Sequence, residues 1–388
     1  MLKYFMFLSL FIPNIAFTKS TVVDDEVSKL AAKAVMDGVY ESFQKVIPYV
    51  YSDSDTLDLL KKDPKKKEEL LKNLNDLSTF FKSARHVEYF QRPGFKPNLE
   101  SMNSHLNDTI NSVSNNNYAF AQKRLSALTT LCISCHTQLS ASGARNAFGE
   151  AINNSTRKEF ESDYAFGNYL YLIRNFEESE KFLVLSIEDS LNKSKTAELH
   201  SSLKRVISMH TKVSFNFKLA DSFISKYKDD KRMPIFAKNM LTAWSKSLEG
   251  WRDFNPKNMN SISEFIKKYL SPLEEIREQT GNGDNDIALL ISSGVLSKYL
   301  NDFPTSKDTP EILYWLSVAE KRLGTAYFFT ISELYLKDCI TQFKSSPFAK
   351  KCYELYEENV EFGYTGSGGT DVPTEEKREL QRLKKLLK

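Results

Sequence analysis

The chain has 388 residues, of which 41% are hydrophobic and 27% are charged. This length exceeds one ordinary domain and this polarity is too high for a membrane protein, so we expect two or three domains. Aromatic residues make up 12% of the chain and exclude extensive disorder. Lys and Arg number 53 against 50 Asp and Glu, a net charge of +3 that gives no basis for a nucleic-acid partner. Four Cys are too few for a disulfide scaffold.

Residues 1–20 have the order of a secretory signal peptide. Lys3 precedes an apolar run, Tyr4–Phe17, and small or polar residues follow. A membrane-spanning helix needs roughly 20 apolar residues, whereas this run is shorter and contains Pro13. We therefore predict a signal cleaved after Ala16 or Ser20, a periplasmic location and no stable membrane span after cleavage. In that oxidising compartment, cysteines can form disulfides.

Residues 21–145 are predicted to form four helices. The first is expected over residues 25–50, the second begins at Asp63-Pro64, the third carries Leu99–Val113, and the fourth carries Ala121–Cys135. The inward stripe of the first helix is predicted to consist of Val27, Leu30, Ala31, Ala34, Val35, Gly38 and Val39. Short connections between amphipathic helices favour an antiparallel four-helix bundle, and the whole chain is expected to be all-α.

The fourth helix ends in Cys132-Ile133-Ser134-Cys135-His136, the pattern for covalent attachment of haem c. Thiols three residues apart on one helical face can each bond a vinyl group of one porphyrin, and the adjacent imidazole can reach the iron. A thioredoxin-like pair would need a βαβ setting, which the sequence does not predict. A zinc site would need two further ligands at suitable spacing, and no second Cys/His pair offers them.

With this motif on its fourth helix, the N-terminal third resembles the class II cytochromes c, the cytochrome c′ group. Ala34-Val35-Met36-Asp37-Gly38 is similar to that family's first helix at the position facing the distal side of the haem. The resemblance implies one haem c bound through Cys132 and Cys135, with His136 and Met36 as iron ligands. His86, Met102, His105 or no residue remain alternatives to Met36.

Two departures from the family pattern bear on gas binding. Members commonly carry an Arg four residues before the distal position, and here that residue is Ala32. They usually carry a basic residue soon after the haem His, whereas here the first is Arg145. Both residues would lie near the haem, so their absence weakens an expectation of gas binding more than one of haem attachment.

Residues 146–362 keep a helical period, and one stretch resembles a tetratricopeptide repeat (TPR). The small and large side chains with which such a repeat packs its two helices are here Phe166-Gly167, Leu170, Ser179, Leu183 and Ser186. A later segment beginning at Phe303-Pro304 recurs weakly 40 residues on, at Phe343. We predict a TPR-like helical repeat domain of stacked hairpins, with an irregular helical domain as the alternative.

The second pair of cysteines lies late in this region. Cys339 and Cys352 flank a turn at nearly equal distances, so a helical hairpin would bring them together. A disulfide is one hypothesis and two separate buried thiols are the other. Residues 363–388 are predicted to form a Gly-rich linker, Gly366–Gly369, and a short helical tail with Leu380, Leu383 and Leu387.

The sequence thus predicts a periplasmic one-haem cytochrome c that transfers single electrons, with repeats that contact a protein redox or scaffold partner. The alternatives are haem-based gas or redox sensing, and a repeat scaffold with a structural haem. An enzyme is not expected, because no Ser-His-Asp or paired-carboxylate constellation and no distal acid–base group can be identified. The oligomeric state is left open.

Overall fold

The computed structural model describes residues 21–50, 60–139, 155–259, 261–273, 283–324, 327 and 331–387. Helices dominate these residues, and the only strands among them form one two-residue pair. The all-α fold class is therefore confirmed. The predicted signal peptide, residues 1–20, and the predicted boundary near residue 145 lie outside the described residues.

Residues 21–139 contain the N-terminal helix group, α1–α5. Helix α1 packs on α3, α3 on α4, α4 on α5, and the short α2 on α5. Two 3₁₀ helices, Ala84–His86 and Glu88–Gln91, connect α3 to α4. The five α-helices are α1 (Thr21–Gln44), α2 (Ile47–Val50), α3 (Pro64–Ser83), α4 (Phe95–Ser114) and α5 (Tyr118–His136).

Local sequence signals place the ends of two of these helices. The Asp63 carboxylate accepts hydrogen bonds from the backbone N–H groups of Lys65 and Lys66, so it caps α3 as Asp before Pro predicts. The Asn117 side chain accepts from Phe120 N–H at the start of α5. Both contacts satisfy N–H groups that have no partner within the helix.

The predicted inward stripe of α1 is wrong in its first half. Val27 and Leu30 are 60% and 67% exposed, whereas Ala32, Tyr40 and Phe43 are buried. Helix α1 carries two neighbouring apolar stripes, and the one with the large aromatic side chains removes more apolar surface from water. The predicted helix over residues 25–50 is also interrupted, because α1 ends at Gln44 and α2 begins at Ile47.

Residues 155–387 form the C-terminal helix region, in which most consecutive helices pack against each other. Short 3₁₀ and π segments join several of them, including the π-helix Met209–Val213. The helices are α6 (Asp163–Leu172), α7 (Phe176–Lys193), α8 (Thr196–Ser208), α9 (Phe217–Lys228), α10 (Ile235–Glu249), α11 (Ile262–Tyr269), α12 (Asp286–Asp302), α13 (Thr309–Leu323), α14 (Ser332–Gln342), α15 (Pro347–Gly363) and α16 (Thr374–Lys385).

The repeat-like positions lie where helices meet. The Ser179 hydroxyl on α7 donates to the Gly167 carbonyl on α6 at 2.8 Å, and a Cβ on Gly167 would lie 3.0 Å from the Leu183 side chain. Phe303 and Phe343 are both helix C-caps, and their N–H groups donate to the carbonyls four residues earlier. The weak sequence repeat therefore corresponds to equivalent helix ends.

The segment predicted as a flexible Gly-rich linker is a short hairpin. Thr365–Gly366 pairs with Gly369–Thr370 as two antiparallel strands, and Gly369 has φ +105°. A positive φ favours glycine, so the tight turn accounts for the glycine at position 369. The tail helix α16 packs on α14 and α15 through the buried Leu380 and Leu383. The tail thus covers the C-terminal helix region.

The two parts of the chain share one hydrophobic core, which runs from α1–α5 into α16. Polar contacts reinforce it: Tyr89 Oη donates to Asn301 Oδ1 at 3.0 Å, and Gln138 Nε2 donates to Tyr335 Oη at 2.9 Å. The described helices include none that combines the length and apolarity needed to cross a membrane.

Candidate functional site

The last turn of α5 brings together the three residues of the Cys-x-x-Cys-His motif. Positions three apart on a helix share a face, so Cys132 and Cys135 lie one above the other, and His136 is the final residue of α5. Leu125 and Leu128, earlier on the same helix, are fully buried and hold α5 in the core. The three motif residues are partly buried and line one cavity.

This cavity, the Met36–His136 cavity, is almost entirely apolar. The cavity has a volume of about 70 Å³ and is open to solvent on one side. Its walls come from α1, α3, α4, α5, the connecting segment before α4, and α6. The lining residues are Met36, Val39, Tyr40, Phe43, Phe81, Phe90, Phe95, Asn98, Leu99, Met102, Leu131, Cys132, Cys135, His136, Leu172 and Ile173.

The His136 ring is oriented by a backbone group of another helix. Its Nδ1 lies 2.5 Å from the carbonyl oxygen of Leu172, the last residue of α6. Burial lowers the pKa of His136 to about 4, with a further lowering from the Arg174 charge, so the ring is neutral at pH 7. A carbonyl can only accept, so Nδ1 carries the proton and donates it, and Nε2 is the nitrogen with the lone pair. This is the arrangement that metal-ligating histidines use.

The two thiols of the motif are protonated near neutral pH. Burial raises the pKa of Cys132 and of Cys135 to about 12. Neither cysteine is part of a disulfide. Redox-active Cys-x-x-Cys pairs depend instead on a lowered thiol pKa, so this environment does not favour the thioredoxin-like interpretation.

Of the four predicted candidates for a second iron ligand, the structure brings two to the cavity. Met36 on α1 and Met102 on α4 both line it. His86 is exposed on the 3₁₀ helix after α3 and lines no part of the cavity. His105 is buried but faces α5, where its Nε2 lies 2.6 Å from the Arg124 carbonyl oxygen. The structure therefore separates both histidines from His136 and places the two methionines with it.

Most residues that line this cavity were not predicted as site residues, and Leu172, Ile173 and Asn98 show why. Leu172 and Ile173 come from α6, which the sequence assigns to another domain. Asn98 lines the cavity, and its Nδ2 donates to the Gly94 carbonyl. The sequence signal for Asn98 is a polar residue beside Leu99 on the buried face of α4. Leu172 contributes a backbone carbonyl, for which no sequence signal exists.

The side chains that line the cavity are of the kinds that hold a haem c. Two thiols and an imidazole lie on one wall, two methionine sulfurs lie on helices α1 and α4, and the remaining wall is apolar apart from Tyr40 and Asn98. The described residues contain no cluster of three or more His, Cys, Asp or Glu that could hold a metal ion by themselves. Such clusters bind metal ions through protein ligands alone, whereas a haem iron is held by the porphyrin and needs one proximal protein ligand.

The disulfide hypothesis concerns a distant part of the fold. Cys339 on α14 and Cys352 on α15 lie with their Cα atoms 6.4 Å apart and their sulfurs at bonding distance. The hairpin thus brings the two residues together as the sequence indicates. Whether the bond forms in the purified protein is a prediction tested below.

Comparisons with known proteins add no relative. A scan against protein-family models, a search of curated proteins and a search of solved structures each found no match to this chain.

Proposed function

We propose that this protein is a periplasmic one-haem c-type cytochrome that transfers single electrons. In this proposal the N-terminal helix group is a haem-binding four-helix bundle of the class II type. The haem is bound through Cys132 and Cys135, and His136 and Met36 ligate its iron. The observation that carries the proposal is the bond between His136 Nδ1 and the Leu172 carbonyl beside two thiols in an apolar cavity.

A haem bound here would supply the one-electron redox couple. The chain's own residues would hold it and control its surroundings. Cys132 and Cys135 would fix its position covalently, and the Leu172 carbonyl would fix the plane and tautomer of His136. The aromatic wall, including Phe81, Phe90 and Phe95, would exclude water and lower the local dielectric.

The two methionines support electron transfer over gas sensing. A sulfur on the iron would close the site to external ligands, and Met/His ligation is typical of electron-transfer cytochromes. The C-terminal helix region is proposed to hold the haem domain near a protein partner. Its stacked helical hairpins, exemplified by the Ser179–Gly167 contact, are the basis for this part.

Covalent attachment is tested first. The full chain is expressed with its predicted signal in a host that has c-type haem maturation machinery, and intact mass and haem staining of denaturing gels are measured. We expect one covalent haem in the wild type and none in Cys132→Ala/Cys135→Ala. The matched control, Cys339→Ala/Cys352→Ala, removes the other two thiols and is expected to retain the haem. A wild type without covalent haem overturns the proposal.

Visible spectra then distinguish electron transfer from sensing. Oxidised and reduced holoprotein is measured with and without carbon monoxide. A low-spin spectrum that carbon monoxide leaves unchanged agrees with electron transfer. A high-spin spectrum that shifts with carbon monoxide contradicts it and favours a gas-binding module.

A further inference from the structure

The C-terminal end of α6 is built so that one carbonyl points out of the helix to His136. Asn175 N–H donates to the Leu170 carbonyl at 2.9 Å, and Arg174 N–H donates to the Tyr171 carbonyl at 3.1 Å. This pair of bonds is a Schellman motif, which closes the helix over two of its last carbonyls. The next carbonyl, that of Leu172, accepts from His136.

The motif requires a left-handed residue at Arg174, and arginine is an unusual occupant. Arg174 has φ +65°, a conformation in which glycine is the common residue because it has no Cβ. A non-glycine residue in this region is worth a functional explanation when its side chain has a defined environment. Glycine would adopt this backbone conformation with less strain than arginine. The role of the arginine side chain therefore needs an explanation.

The guanidinium of Arg174 bonds to the backbone three residues after His136, at Leu139. The side chain is 4% exposed, its Nη2 donates to the Leu139 carbonyl at 3.3 Å, and it lies 6.0 Å from the Phe176 ring centroid. Its charge lowers the pKa of His136 further, and it offsets part of the rise that burial causes in the pKa of Cys135. Burial lowers the pKa of Arg174 itself to about 10. Arg174 is therefore a buried cation that lies two residues after the His136 acceptor, Leu172, and that bonds to the backbone at Leu139.

We propose that Arg174, a residue of the C-terminal helix region, raises the reduction potential of the haem site through its buried positive charge. This inference rests on the proposed function. Oxidation leaves an iron porphyrin one unit more positive, and a fixed cation nearby opposes that change. The effect is large where water is excluded, because the low dielectric screens the charge weakly. Arg174 would thus make the redox couple depend on how α6 docks against α5.

The midpoint potential of the holoprotein tests this, measured by spectroelectrochemical titration at fixed pH and ionic strength. Arg174→Gln is expected to lower the equilibrium constant for reduction about tenfold, which is about 59 mV for one electron. Arg174→Lys keeps the charge and is expected to retain most of the wild-type value. Arg124→Gln is the matched control, because Arg124 lies on α5 about 18 Å before His136 along the helix and its side chain is 29% exposed. It is expected to leave the potential unchanged.

A second neutral variant is used if Arg174→Gln does not fold. Arg174→Gly suits the positive φ and is expected to give the same fall in potential. Covalent haem with an unchanged potential in a neutral variant overturns the inference, as does an equal fall in Arg174→Lys. A wild type without covalent haem is a different result, since it overturns the proposed function itself.

Discussion

Two methionine sulfurs reach the same cavity from different helices, and they differ in burial. Met102 on α4 is 4% exposed, whereas Met36 on α1 is partly buried. Met is a flexible side chain that fills gaps, so either residue is compatible with packing alone. The proposed function takes Met36 as the ligand, and its neighbours Val39 and Phe43 also line the cavity.

Substitution of each methionine by leucine separates ligation from packing. Met36→Leu is expected to abolish the sulfur-to-iron absorption band of the oxidised protein and to permit carbon monoxide binding. Met102→Leu is the matched control, since it removes a sulfur from the same cavity and is expected to keep the band. The volume-conserving change costs less than about 1.5 kcal/mol of stability in either variant. Loss of the band in Met102→Leu alone would assign the ligand to α4 instead.

At the scale of elements, close helix contacts depend on glycines that the sequence does not distinguish from others. A Cβ on Gly294 of α12 would lie 2.3 Å from the Lys212 backbone carbonyl in the π-helix Met209–Val213. The same contact region holds the buried ion pair of Lys212 with Glu320, whose nearest atoms are 3.7 Å apart. Burial raises the pKa of Glu320 and lowers that of Lys212, because each charge is costly away from water. Each charge is stabilised by its partner, so a displacement that separates the two is costly.

Gly294→Ala is therefore expected to destabilise the protein. A backbone oxygen cannot move aside as a side chain can, so α12 must shift, at a cost of about 1–3 kcal/mol. Urea unfolding followed by far-UV circular dichroism measures the change. Gly363→Ala is the control, because nothing lies within 4 Å of a Cβ there and its φ is ordinary. Equal stability of wild type and Gly294→Ala would show that the α12 contact is looser than described.

The α14–α15 hairpin offers a second prediction at this scale. Cys339 and Cys352 are separated by 13 residues, and a bond between them would stabilise the fold by about 3 kcal/mol through loop closure in the unfolded chain. Reductant is expected to lower the unfolding midpoint of the wild type but not of Cys339→Ala/Cys352→Ala. Alkylation of unreduced, denatured protein followed by mass measurement identifies the bond. If Cys339 and Cys352 are both alkylated without reduction, the bond is absent.

At the scale of the whole molecule, the C-terminal helix region contacts the N-terminal helix group at several places around the cavity. Tyr40 and Tyr169 hydroxyls lie 3.1 Å apart between α1 and α6. Gln138 donates to the Tyr335 hydroxyl, and Lys96 lies 3.6 Å from Asp338 on α14. Since α6 also supplies part of the cavity wall, a bound haem would stabilise the contact between the two parts.

Tyr335→Phe tests this coupling. The hydroxyl is fully buried, so its loss leaves the Gln138 amide without this acceptor and is expected to cost about 1–3 kcal/mol. Haem absorbance and circular dichroism are followed together in urea, and both are expected to shift to one lower midpoint. Tyr364→Phe, at a site 41% exposed, is the control and should change stability by less than about 0.5 kcal/mol. Separate midpoints for the two signals would show that the two parts unfold independently.

Features that depend on neighbouring residues could be predicted from the sequence. The cap at Asp63 and the shared face of Cys132 and Cys135 follow from helical spacing and from side chains a few positions away. Helix periodicity also determined the all-α class, because a period of 3.6 residues persists along the chain.

Only the tertiary structure decided which surfaces and groups meet. Helix α1 has two apolar stripes, and the choice between Val27 and Phe43 depends on the partner helices. The acceptor for His136 is a backbone carbonyl 36 residues further on, which any residue type would supply. The turn that ends α6 holds Arg174 in a left-handed conformation, which no local pattern in the sequence indicates. Such contacts leave no local pattern, since they depend on long-range packing rather than on residue spacing.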